Sequence, residues 1–103
     1  MSKGLKFDKG KQEWYRLPLI VLRPLADVYC NPKAGGKYPA FNCLLPFEDG
    51  DRRLWDAMMR HAEASQIDPL AINEEDGGVY HLAQLAFSAL TRLHNALQAK
   101  EAA

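Results

Sequence analysis

The chain has 103 residues, and its 13 basic side chains balance 13 acidic ones to give no net charge. That length suits one domain and is too short for a two-domain enzyme. With 48% hydrophobic and 25% charged residues, the composition excludes collagen-like, coiled-coil and disordered classes for most of the chain and predicts a core.

No long basic run exists to neutralise a row of phosphates, so no nucleic-acid partner is expected. Cys30 and Cys43 have neither a close spacing nor further cysteines to build a zinc site, and are read as free thiols. No stretch approaches the roughly 18 apolar residues of a membrane span, and Met1 to Gly10 lacks the apolar centre of a signal peptide. A cytoplasmic protein without a membrane partner is the expectation. At this size folding buries only about 60 to 70% of the chain's surface, which points to support from self-association through an apolar helix face.

In chain order, Met1 to Lys11 is polar, lysine-rich and broken by glycine, and is expected to form an extended basic arm. A first helix is predicted from near Pro18 or Pro24 to Tyr29 or Cys30, since proline is best placed in a first helical turn. Asn31 to Gly50 holds too many prolines and glycines for regular structure, and a loop of that length is a candidate for substrate binding. Asp51 is placed to cap a second helix ending near Ala64 or Ser65, where Leu54, Ala57, Met58, His61 and Ala62 recur at helical spacing and His61 falls on the edge of the buried face. Ser65 to Gly78 reads as a second, acidic loop. A third helix is expected from Val79 to Gln98, with Leu82, Leu85, Ala86, Ala89, Leu90, Leu93 and Leu97 on its apolar side and His81, Gln84, Ser88 and Arg92 on a polar stripe. No strand-like alternation persists, so the fold is expected to be all-α, a small bundle of about three main helices with long functional loops.

Two constellations carry chemistry. His61, Asp68, Glu74, Glu75, Asp76 and His81 fall on the second helix, the acidic loop and the start of the third helix. Carboxylates gathered together repel one another unless a cation sits among them, which suits Mg²⁺ or Mn²⁺. The alternative is that these carboxylates complement the positive end of the third helix, and that His61 is a hydrogen-bonded core residue. The second constellation is Gly35, Gly36, Lys37 and Tyr38 with Asn42. Glycines let backbone N–H groups approach a phosphate, lysine supplies charge, and tyrosine and asparagine can stack on and hydrogen-bond a base. No nucleophile is flanked by a recognisable base, which leaves metal-activated water as the expected nucleophile.

The order of these features, from Lys6-Phe7-Asp8-Lys9-Gly10-Lys11 through Gly36-Lys37-Tyr38, Asn42 and Arg60-His61 to Gly77-Gly78 and Tyr80-His81-Leu82, resembles the phage and bacterial dATP/dGTP diphosphohydrolases. These are similar to the MazG-like all-α nucleoside triphosphate pyrophosphohydrolases. The resemblance covers roughly residues 4 to 97. The chain departs from the family pattern in carrying Cys43 where tryptophan is usual, Gln66 near a usual glutamate, and a longer acidic loop in which either Glu75 or Asp76 matches the later glutamate.

The resemblance implies a single domain over residues 1–103 that hydrolyses a purine deoxynucleoside triphosphate to the monophosphate and pyrophosphate. Asp68, Glu75 and Asp76 would hold Mg²⁺ or Mn²⁺. Lys37, Arg60, Lys6 and Lys11 would bind phosphate, with Tyr38 and Asn42 also on the substrate. His61 or His81 would position water or bind metal. A site completed by homo-oligomerisation is implied too. The competing reading is a non-enzymatic phage-type helical interaction protein, or a relative that binds nucleotide without turning it over.

Overall fold

The computed structural model describes residues 3–103, so Met1 and Ser2 of the expected arm lie outside the described residues. Three helices, α1 (Leu22–Cys30), α2 (Gly50–Ser65) and α3 (His81–Ala102), make up most of the structure. The fold is all-α, as the sequence predicts. A small element departs from the expected pattern, with one strand inside the acidic loop and the other where the third helix was expected to start. Two-residue strands β1 (Ile72–Asn73) and β2 (Val79–Tyr80) pair antiparallel, with Ile72 opposite Tyr80.

Of the two starts expected for the first helix, the one near Pro24 is realised. Pro24 stands third in α1, within the first turn, where its missing N–H has no intrahelical partner to lose. Pro18 instead precedes a separate 3₁₀ turn, Leu19–Val21. α2 starts at Gly50, and Asp49 holds the position before it in a left-handed conformation without a side-chain cap. The expected cap, Asp51, has a different partner. Its carboxylate accepts two hydrogen bonds from Arg92 of α3, from Nε at 2.7 Å and from a terminal guanidinium nitrogen at 3.2 Å. That guanidinium also lies 5.3 Å from the centre of the Trp55 ring on α2, so the two helices are clamped by one cation.

α3 begins two residues later than expected and runs on to Ala102. The His81 N–H donates to the Ala71 carbonyl at 3.0 Å, which anchors the start of the helix to the segment before the hairpin. The larger correction concerns its orientation. Ala83, Gln84, Ser88 and Thr91 are buried, so two of the four residues read as a polar stripe, Gln84 and Ser88, face the inside of the chain. Leu82, Leu90, Leu93 and Leu97, read as the apolar inner side, are exposed.

The core is small. Val28 of α1, Ala34 of the following loop, Val79 of β2 and Ala83 of α3 form its buried cluster, with Phe87 packed against it. Tyr29 meets the Phe87 ring edge-on at 4.9 Å. The radius of gyration is 17.3 Å, against about 13 Å for a compact domain of 100 residues. The N-terminal arm, extended and exposed from residue 3 onward, contributes to that difference.

Candidate active site

A cleft of about 960 Å³ opens between the C-terminal end of α1, the long loop, the middle of α2, the hairpin turn and α3. Lys37, Tyr38, Asn42, His61 and Asp76 all line it. The two constellations that are separate in sequence therefore face one another across a single space.

Backbone contacts bring the long loop to this place. The Asn31 carbonyl, just past α1, accepts hydrogen bonds from Ala34 N–H and Gly36 N–H, both at 2.9 Å, folding the chain back on the helix end. The return is so tight that a Cβ on Gly36 would run into the carbonyls of Cys30 and Asn31. The Asn31 side chain completes the connection. Its Oδ1 accepts from Lys33 N–H at 2.8 Å, and its Nδ2 donates to the carbonyl of Gly77 in the hairpin turn at 3.3 Å. Gly77 has a φ of +81°, and a Cβ there would strike that asparagine. Further along the loop, the Lys37 ammonium lies 5.4 Å from the Tyr38 ring centre. Phe41 takes a left-handed φ of 66°, uncommon for a bulky residue, and forms part of the cleft.

On the opposite wall, His61 of α2 and His81 at the start of α3 approach through their Nδ1 atoms at 2.9 Å. Burial first, then the proximity of His81 and Arg60, lowers the His61 pKa below the usual 6.5, while Asp76 acts in the opposite sense. His61 is therefore a neutral imidazole at physiological pH, able to accept a proton. His81 is not among the residues that line the cleft and supports His61 from behind.

Asp76 is the one carboxylate among the residues lining the cleft. Its Oδ2 accepts hydrogen bonds from Gln84 Nε2 at 2.6 Å and Asn73 Nδ2 at 3.2 Å, and Asn73 Nδ2 also reaches Gln84 Oε1 at 3.0 Å. Both amides are directed at Oδ2, which leaves Oδ1 outside this network. The sequence reading missed Asn73 and Gln84. An amide on the buried face of α3, one turn after His81, is the signal that could have singled out Gln84.

The remaining site candidates lie elsewhere. Asp68 is exposed, and its Oδ1 accepts from Leu70 N–H at 2.9 Å in a turn around Pro69. Glu75 is exposed on the short 3₁₀ turn Glu74–Asp76. Among the described residues, no group of three or more His, Cys, Asp or Glu side chains is gathered as a metal-binding set. Lys6 and Lys11 are exposed on the arm and outside the cleft. Arg60, adjacent in sequence to His61, turns away into a neighbouring hollow of about 280 Å³ with Phe47, Arg53 and Asp56. Phe47 and Arg53 border both the hollow and the cleft, so Arg53 is a cation of the site that sequence reasoning did not find. Both cysteines are free, with Cys43 in the cleft wall. No helix among the described residues is long and apolar enough to cross a membrane.

The donor set bears on whether a divalent cation suits this cleft. Mg²⁺ commonly keeps several waters and is held by one or two carboxylates together with substrate phosphates. Asp76, with Oδ1 outside its amide network, fits that pattern as a single carboxylate, whereas an all-protein cage from Asp68, Glu75 and Asp76 is not assembled among the described residues. Neither the curated proteins nor the solved structures contain a match to the chain. The model of one protein family, described as dATP/dGTP diphosphohydrolase, N-terminal, matches residues 1–103, and the chain belongs to that family.

Proposed function

We propose that the cleft binds a purine deoxynucleoside triphosphate, dATP or dGTP, and hydrolyses it to the monophosphate and pyrophosphate with Mg²⁺ or Mn²⁺. The observation that carries this reading is the meeting of Lys37, Tyr38, Asn42, His61 and Asp76 in one cleft. Tyr38 and Asn42, beside the Phe41 ring, offer an aromatic face and an amide to a base. Lys37 and Arg53 offer charge to phosphate oxygens and to the departing pyrophosphate, and Arg60 adds to it from the adjoining hollow.

For His61 to act as general base, its Nδ1–H donates to His81 Nδ1, which leaves the Nε2 lone pair for a water. Water attacks the α-phosphorus, the bond to the α–β bridging oxygen breaks, and the water proton passes to His61 Nε2. Asp76 favours the imidazolium so formed. A bound Mg²⁺ or Mn²⁺ would supply neutralisation of triphosphate charge, with Asp76 as its protein ligand. Asp68, Glu75, Lys6 and Lys11 have no part in this reading. It places the protein in the cytoplasm, the host's if a phage encodes it.

The test is to incubate the protein with each dNTP and NTP plus Mg²⁺ or Mn²⁺ and to measure monophosphate and pyrophosphate. Release of both from dATP or dGTP, lost in His61→Ala, is expected. No product from any nucleotide sinks the proposal and favours the non-enzymatic alternative.

A further inference from the structure

Asn31 follows the last residue of α1 and bonds to the helix, the long loop and the hairpin turn. Its backbone N–H donates to the Asp27 carbonyl at 2.8 Å and closes the helix, while its own carbonyl takes the N–H groups of Ala34 and Gly36. Its side chain accepts from Lys33 N–H on one side and donates to the Gly77 carbonyl on the other. Among the described residues, this Asn31–Gly77 bond is the only hydrogen bond between residues 31–50 and the hairpin of residues 72–80.

The two segments so joined carry different charged groups of the cleft. Lys37 follows directly on Gly36, which the Asn31 carbonyl holds. Asp76 directly precedes Gly77, and its Oδ2 is fixed by Asn73 and Gln84. The hairpin turn is closed on itself by Gly78 N–H, which donates to the Asn73 carbonyl at 2.8 Å. Each side is thus ordered locally, and one neutral amide links them. Gly77 makes room for that amide, since the space a Cβ would take there is filled by the oxygen, nitrogen and carbon of the Asn31 side chain.

An amide that joins two ordered pieces transmits order between them. When a ligand fixes one piece, the other has less freedom left to lose on binding its own ligand, and the effect is equal in both directions. We infer that Asn31 is a positioning residue that couples the two walls of the cleft: a divalent cation on Asp76 orders the Gly36–Lys37 loop for phosphate, and phosphate on Lys37 steadies Asp76 for the cation. The identities of the two ligands rest on the triphosphate hydrolase reading.

The test is amide hydrogen exchange of the whole chain as Mg²⁺ is raised, comparing the unmodified protein with Asn31→Ser. Serine keeps a side-chain acceptor for Lys33 N–H, adds no charge and is too short to reach Gly77. Gly78 N–H reports on the turn and Gly36 N–H on the loop. In the unmodified protein Mg²⁺ is expected to slow exchange at both, at Gly36 by about fivefold, as one ordinary hydrogen bond would. In Asn31→Ser it is expected to slow Gly78 alone. Gly77→Ala drives a Cβ into the Asn31 amide from the other side, is expected to separate the two reporters in the same way, and replaces the serine variant should that one not fold. No response at Gly36 in the unmodified protein, or a response there that survives in either variant, overturns the inference.

Turnover distinguishes this coupling from the hydrolase reading. With dGTP as substrate, Asn31→Ser is expected to need about fivefold more Mg²⁺ for half-maximal rate, and an unchanged Mg²⁺ requirement overturns the coupling. If the unmodified protein turns over no nucleotide while Mg²⁺ slows Gly36 only when Asn31 is present, the hydrolase reading fails and the coupling stands.

Discussion

His61 and His81 face each other through the same type of nitrogen, Nδ1 to Nδ1 at 2.9 Å. One ring must present its hydrogen and the other its lone pair, so this bond cannot survive protonation of both rings. Because burial and neighbouring positive charge lower the His61 pKa below 6.5, the unfolded chain takes up a proton there before the folded chain does. Stability is therefore expected to be full above pH 6.5 and to be lost as pH falls through the lowered His61 value. Urea unfolding followed on both sides of pH 6.5 tests this, and His61→Asn is expected to flatten the dependence. A variant as pH-sensitive as the wild type would place the titrating group elsewhere.

Gln84 is expected to be a structural keystone of the site. Its buried amide bonds both Asp76 and Asn73, so Gln84→Leu leaves partly buried polar groups without their partner. A loss of about 1–3 kcal/mol in denaturant unfolding is expected. Unchanged stability would show that water replaces the amide without cost.

Nucleotide and metal should act together on stability. A purine dNTP with Mn²⁺ at 100 times its dissociation constant is expected to add about 2.7 kcal/mol, read as a rise in Tm. EDTA is expected to remove the metal-dependent part, as is Asp76→Asn. If Asp76→Asn leaves the Mn²⁺-dependent rise intact, Asp76 is not the ligand.

Gly36 offers a backbone test of the loop fold. The carbonyls of Cys30 and Asn31 occupy the space of its missing side chain, so Gly36→Ala is expected to cost about 1–3 kcal/mol by overpacking. Gly4, around which nothing lies within 4 Å, provides the control, and Gly4→Ala should leave thermal unfolding unchanged.

The helices were legible in the sequence because breakers bound them: Pro24 sits in the first turn of α1, and the proline- and glycine-rich loops mark where α2 and α3 stop or start. The hairpin was not, since two-residue strands are too short to show a period. Asp51 was misread because a carboxylate near a helix start serves equally as a cap or as a partner for a cation distant in sequence, and only the fold brings Arg92 to it. The inversion of α3 has a deeper cause. Periodicity shows which residues share a face but not whether their own chain covers it, and here the inward face is set by Ala83 in the buried cluster and by the hydrogen bonds of Gln84 to Asp76 and Asn73, while Leu82, Leu90, Leu93 and Leu97 are exposed. Within the site, His61 is half-buried, bonded to His81 and in the cleft wall, a placement that helix periodicity alone does not distinguish from a core position. Proximity in sequence suggested that Asp68 and Glu75 would join Asp76, but the turn at Pro69 and the 3₁₀ turn at Glu74 direct them to solvent.

Phe41 adds a consequence at the mouth of the cleft. A left-handed backbone is comfortable for glycine and costs about 1–2 kcal/mol for a residue with a side chain, yet this position holds an aromatic ring that is 78% exposed. The ring contributes little to the interior, so folding alone does not account for it. Phe41→Gly should relax the turn and leave the protein at least as stable. Any loss that the change brings to nucleotide binding then measures the ring itself, free of the structural damage that complicates most substitutions in a binding site.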